Sequence, residues 1–200
     1  MTDTHSTYTT FDGHRRIATG SLETNALAVK RASESAAVGP VLIFDDSTGR
    51  TVDVDTRGSD EAIVARLGTS ALAQSEDSSR RNVPEHPGPR GRGRPKLGVV
   101  PREVTLLPRH WEWLGEQPGG ASVALRKLVE EARRANGEKD KVRKAHERAY
   151  HFMLAIAGDL PGFEEATRAL FANEPLRFRD LIAAWPCDIR DHAMQLAWNE

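Results

Sequence analysis

One cysteine in 200 residues, Cys187, permits no internal disulfide and no thiolate cluster for zinc, which fits a reducing compartment. Its own reading is that of a small, partly buried hydrophobe. No uninterrupted apolar run approaches the ~18 residues of a membrane span. The first thirty residues are polar and broken by Asp12, Arg15 and Arg16, so the apolar stretch of a secretion signal is missing. These absences predict a cytoplasmic protein with no membrane partner. The hydrophobic share of 38% is enough for a packed core.

Net charge is also nearly missing, with 28 Lys and Arg against 29 Asp and Glu. That balance conceals an uneven distribution along the chain. Residues 1–79 hold 7 basic and 12 acidic side chains, a balance of -5. Residues 80–102 hold 7 basic side chains and Glu85 alone, giving +6, and residues 103–200 hold 14 and 16, giving -2. A local cationic stretch neutralises phosphates and releases their counterions even in a molecule that is neutral on average. The alternative is a solvated basic linker that holds two domains apart.

The N-terminal pattern reads as hairpin, helix, hairpin, helix. Asp12-Gly13 suits a tight turn between Tyr8–Phe11 and Arg15–Thr19. Leu27, Ala28 and Ala32 lie at helical spacing within 23–35, Val41–Phe44 and Thr51–Asp55 flank Ser47-Thr48-Gly49, and Ser59 can cap a helix carrying Ile63, Val64 and Leu67. The predicted fold class is α+β. A polar tail covers 1–7, a small hairpin and helix domain 8–68, and a disordered basic linker 69–98. A strand-helix-helix segment follows over 99–136, and a C-terminal helical bundle over 137–200.

Within the linker, Pro89-Arg90-Gly91-Arg92-Gly93-Arg94-Pro95-Lys96 resembles an AT-hook. Pro95 limits the chain to an extended form, Gly93 permits close approach of the backbone, and flanking arginines enter a narrow electronegative minor groove. Beyond it, Arg102–Leu107 alternates as a strand, Pro108 starts a short helix over 109–117 with Trp111 and Leu114 on one face, and Pro118-Gly119-Gly120 breaks it. A second helix opens near Ser122 with Ala121, Ala124, Leu125, Leu128, Val129 and Ala132 as its apolar stripe.

The order and spacing over 102–134 resemble the ribbon-helix-helix fold, in which strands from two chains pair and enter the major groove. That resemblance implies a homodimer on double-stranded DNA, with Arg102 and Thr105 near the groove and the turn at Gly120-Ala121-Ser122 offering backbone N–H groups to a phosphate. Burying Val104 and Leu106 turns Glu103 and Thr105 to the groove. Slipping the register by one turns Arg102, Val104 and Leu106 there instead. The competing reading is an ordinary strand and helix pair packed within the chain.

Past Asn136-Gly137, taken as a break, helices are predicted over 138–157, from Phe163 to before Asn173, over 175–185 and after Pro186. His146-Glu147-x-x-Tyr150-His151 fails as a zinc-protease helix because its histidines are five apart rather than four. His192, beside Asp191, reads as a helix-surface histidine, and neither Gly119-Gly120 nor Gly91-x-Gly93 has the context of a nucleotide loop. No catalytic signature, metal site or cofactor is expected.

Leu42-Ile43-Phe44-Asp45, Gly93–Val100, Arg102–Trp113, Gln117–Leu128 and Trp185-Pro186-x-Asp188-Ile189-Arg190-Asp191-His192 together resemble a bacterial family of unknown function, DUF2239, over nearly the whole length. That resemblance implies that the three parts belong to one protein and supplies no activity. The function expected from the residues is a dimeric DNA-binding protein and transcriptional regulator, read through Arg90, Arg92, Arg94, Lys96, Arg102, Thr105, Gly120, Ala121 and Ser122. The alternative is a non-enzymatic module for protein interaction, its partner unspecified.

Overall fold

Gly13 takes φ +56°, and the chain folds back there to pair β1 (Tyr8–Asp12) antiparallel with β2 (Arg15–Gly20). Both strands belong to a computed structural model that describes residues 7–35, 39–68 and 102–198. Ser21 then caps α1 (Leu22–Glu34), its Oγ accepting from the Thr24 N–H at 3.3 Å. The second hairpin follows as β3 (Val41–Asp45) and β4 (Arg50–Val52), the latter ending sooner than its alternation predicts. β3 pairs with β1, so the antiparallel sheet runs β2-β1-β3-β4. Ser59 caps α2, helical from residue 60 and described to residue 68; its Oγ accepts from the Ala62 N–H at 3.3 Å. The predicted succession of hairpin, helix, hairpin and helix is what forms.

Both faces of β1 are covered, which explains why its residues are nearly all buried. On one face the Thr10 hydroxyl donates to Asn25 Oδ1 of α1 at 2.6 Å. The Asn25 amide in turn donates to the carbonyls of Tyr8, Gly20 and Ser21, so this fully buried polar side chain leaves no donor or acceptor stranded. On the other face Phe11 and Phe44 meet Phe152, with ring centroids 5.3 Å and 4.9 Å away.

Phe152 belongs to α4 (Ala121–Ile156), which is followed by α5 (Phe163–Phe171), α6 (Pro175–Leu181) and α7 (Cys187–Trp198). The later helices start where the prolines and Gly162 predict. Asn136-Gly137 does not end a helix, contrary to expectation: α4 runs through it for 36 residues. An internal glycine costs a helix only about 1 kcal/mol. Here the Asn136 amide donates back to the Ala132 carbonyl at 3.0 Å, and ion pairs Glu130–Arg134 and Arg143–Glu147 brace the turns on either side.

Two units are distinguished by their contacts: Met1–Ser78 with Lys139–Glu200, and Ser79–Glu138. In the first, one hydrophobic cluster contains Phe11 and Phe44 from the sheet together with Phe152, Met153, Leu170, Phe178 and Ile189. Segments 8–68 and 137–200, read from sequence as separate domains, thus share a core. Their join is also polar: the Arg16 N–H donates to Asp188 Oδ2 at 2.8 Å.

Candidate nucleic-acid interface

The second unit begins, among its described residues, with 102–107, which form no strand. A strand is defined by its ladder, and no strand among the described residues pairs with this segment. Arg102, Glu103, Val104 and Thr105 are all exposed, so neither anticipated burial register is taken up within one chain. Leu107 is the extended N-cap of α3 (Pro108–Gly115), with Pro108 supplying the preset φ of a first turn. After α3 the chain reverses through Gly119 and Gly120, at φ +87° and +74°, a left-handed pair that side-chain-bearing residues rarely adopt. The Gly120 carbonyl then accepts from the N–H groups of Val123 and Ala124 and opens α4.

Thus Gly120, Ala121 and Ser122 do stand at a helix N-terminus, with Ser122 exposed, while Arg102 and Thr105 lie on the segment leading into α3. Arg90, Arg92, Arg94 and Lys96 lie outside the described residues. Charge follows the division of the fold. Ser79–Glu138 carries 12 basic and 7 acidic side chains, a balance of +5, whereas the remainder carries 16 and 22, a balance of -6.

This unit buries little of its own. Leu114 and Ala124 are its buried hydrophobics among the described residues, while Val104, Leu107, Trp111, Trp113, Leu128 and Val129 are each more than 40% exposed. Trp111 was expected to share the covered face with Leu114 but remains 43% exposed.

Among the described residues the histidines and the cysteine form no cluster. His151 donates from Nδ1 to the Thr48 carbonyl at 3.1 Å, which leaves Nε2 to accept from Arg50 at 3.3 Å. His192 is buried rather than on the helix surface: it touches Phe11 and Phe152, and its Nε2 lies 3.3 Å from Asp46 Oδ1. Its i, i+3 and i+4 relation to Ile189 and Leu196, both buried, was the available signal. Cys187 is exposed at the start of α7, not partly buried. Among the described residues no group of three or more His, Cys, Asp or Glu could hold a metal ion.

His146 is buried against Phe171 and Trp198. Burial pushes its imidazole below the ordinary histidine range, opposed in part by a hydrogen bond with Asn173. The folded chain therefore favours the neutral ring. Stability from this group is complete above about pH 6.5 and is lost as pH falls through the lowered folded value, because the unfolded chain takes up the proton first. Thermal melts from about pH 7.5 to about pH 5 should show a shallower loss of Tm in His146→Phe than in the native chain. Parallel profiles would assign the acid sensitivity elsewhere.

The sequence family described as "Uncharacterized protein conserved in bacteria (DUF2239)" matches residues 7–197, spanning the sheet, both units and all the C-terminal helices. The chain belongs to this family. No curated protein and no solved structure matches it. Membership in DUF2239 supports the reading that the sheet, the basic stretch and the helices are parts of one bacterial protein, since the match does not stop at the linker. In this DUF2239 chain no helix among the described residues is long and apolar enough to cross a membrane.

Proposed function

We propose that the chain is a dimeric, non-enzymatic DNA-binding protein, a transcriptional regulator in which the segment around Arg90–Lys96 acts as a cationic arm beside the α3–α4 unit. The observation that carries this reading is the partition of charge: the basic stretch, α3 and α4 as far as Glu138 fall in one unit of +5, and the rest of the chain holds -6. An acidic remainder is repelled by a duplex, so the partition orients the molecule with this unit toward phosphate. Supporting it are residues 102–107, which have no ladder partner among the described residues, and the start of α4 at Gly120-Ala121-Ser122. The former are available to pair with the same segment of a second copy, and the latter to a backbone phosphate.

Fluorescence anisotropy with a short duplex tests the reading. Binding should weaken linearly in log–log form as salt rises from about 50 mM to about 300 mM, with a slope of several units. Absence of binding at the lowest salt would sink it.

A further inference from the structure

The central part of α4 presents a seam that is exposed among the described residues. Leu125, Leu128, Ala132, Ala135, Lys139 and Val142 follow one another at alternating steps of three and four residues, the spacing of a heptad core. Leu128 is 43% exposed and Val142 40%, and both alanines and Lys139 are exposed as well. The same steps continue to His146, Ala149 and Met153, which are buried at 3%, 0% and 0%. This stripe is therefore the packing face of the helix; Leu125 is half-buried, and from Leu128 to Val142 the stripe is exposed among the described residues. The opposite face is charged, with Arg126, Arg133, Arg134, Lys141 and Lys144 all exposed.

We infer that the occupant of this seam is the α4 helix of a second copy, paired parallel and in register over Leu125–Val142, a length of about 27 Å. Charge selects the orientation. With Leu125 and Leu128 as core positions a and d, the flanking g positions are Glu131 and Glu138 and the following e positions are Asn136 and Arg143. A parallel pair sets Glu138 of one helix against Arg143 of the other on both sides of the seam, and Glu138 also neighbours the opposing Lys139. An antiparallel pair sets g against g and brings Glu131 toward Glu138, a like-charge contact. Lys139 at a core position weakens the seam but fixes its register, as a single polar core residue does in paired helices. The parallel arrangement brings the N-terminal ends of both α4 helices together, which deepens the proposed dimer on DNA by naming its helical contact.

Disulfide trapping of the full chain in a Cys187→Ser background tests the pairing. Val142→Cys and Leu128→Cys should each form a covalent dimer on mild oxidation, because identical core positions face each other only in a parallel pair. Lys141→Cys, on the outer face, should react at least about ten times more slowly. Light scattering should give twice the chain mass, and Leu128→Asp with Val142→Asp should weaken the dimer by about a hundredfold or more. Because both side chains are exposed in the single chain, far-UV circular dichroism should stay unchanged. A native chain that is monomeric at high micromolar concentration, or equal trapping at 141 and 142, overturns the pairing. Trapping at only one of 128 and 142 indicates an antiparallel crossing and overturns it too. A trapped dimer without DNA affinity would leave the pairing standing and remove the DNA reading, whereas a monomer that binds duplex would do the reverse.

Discussion

Gly49→Ala should destabilise the sheet-containing unit by about 3–5 kcal/mol, at the upper end for a single substitution and a large share of the roughly 5–15 kcal/mol that holds a domain folded. Two effects combine. Gly49 sits in the β3–β4 turn at φ +68°, where a side chain costs about 1–2 kcal/mol by itself. A Cβ there would also overlap the Arg148 carbonyl oxygen of α4, backbone against backbone, so no flexible side chain can move aside. Relief requires the turn to withdraw from the helix, and the neighbouring contacts would go with it: His151 with Thr48 and Arg50, and Asp46 with His192. Gly13→Ala is the control, since φ is also positive at +56° but the added methyl meets only the Gly39 Cα at 3.9 Å. Urea unfolding of both variants should give a much lower midpoint for Gly49→Ala at an unchanged m value. Equal midpoints would mean that the turn is not pinned to α4.

Gly49 marks where reading the sequence stops short. Ser47-Thr48-Gly49 is legible as a turn because local chemistry demands one, yet nothing local says that a helix some hundred residues later lies against it. The same division runs through the molecule. Asp12-Gly13, Ser59, Pro108, Pro175 and Pro186 act within a few residues of themselves, and the elements they bound form as predicted. Asn136-Gly137 misled because its glycine is weaker than the helical bracing around it, with Asn136 bonded back to Ala132. His192 was assigned to the surface from its polarity, although its spacing from Ile189 and Leu196 placed it on the buried face. For the candidate interface, the turn at Gly119-Gly120 and the start of α4 were readable. A strand over 102–107 was not decidable, since alternation alone names no partner and none pairs with it among the described residues.

Replacing Arg90, Arg92, Arg94 and Lys96 together by Gln should weaken duplex binding by at least about a hundredfold at low salt and flatten the salt slope by up to about 3.6, near 0.9 for each phosphate contact removed. Residues 80–102 supply a balance of +6, whereas α3 and the start of α4 are close to neutral, with Arg109, Arg126, Lys127, Arg133 and Arg134 offset by Glu112, Glu116, Glu130, Glu131 and Glu138. The arm must therefore carry most of the electrostatic free energy if the chain binds DNA at all. Sequence preference separates its two possible seats. Seated in the minor groove, Arg92 and Arg94 favour A·T-rich over G·C-rich duplex, because the guanine amino group obstructs that floor and A-tracts narrow it. The preference should vanish in Gly93→Val, which keeps every charge but bars close approach of the backbone. Seated only on phosphates, the arm binds both duplexes equally and Gly93→Val changes little. Unaltered affinity and slope in the fourfold variant would sink the role of the arm. Light scattering on that variant should still give the dimer, since the α4 seam shares no residue with it.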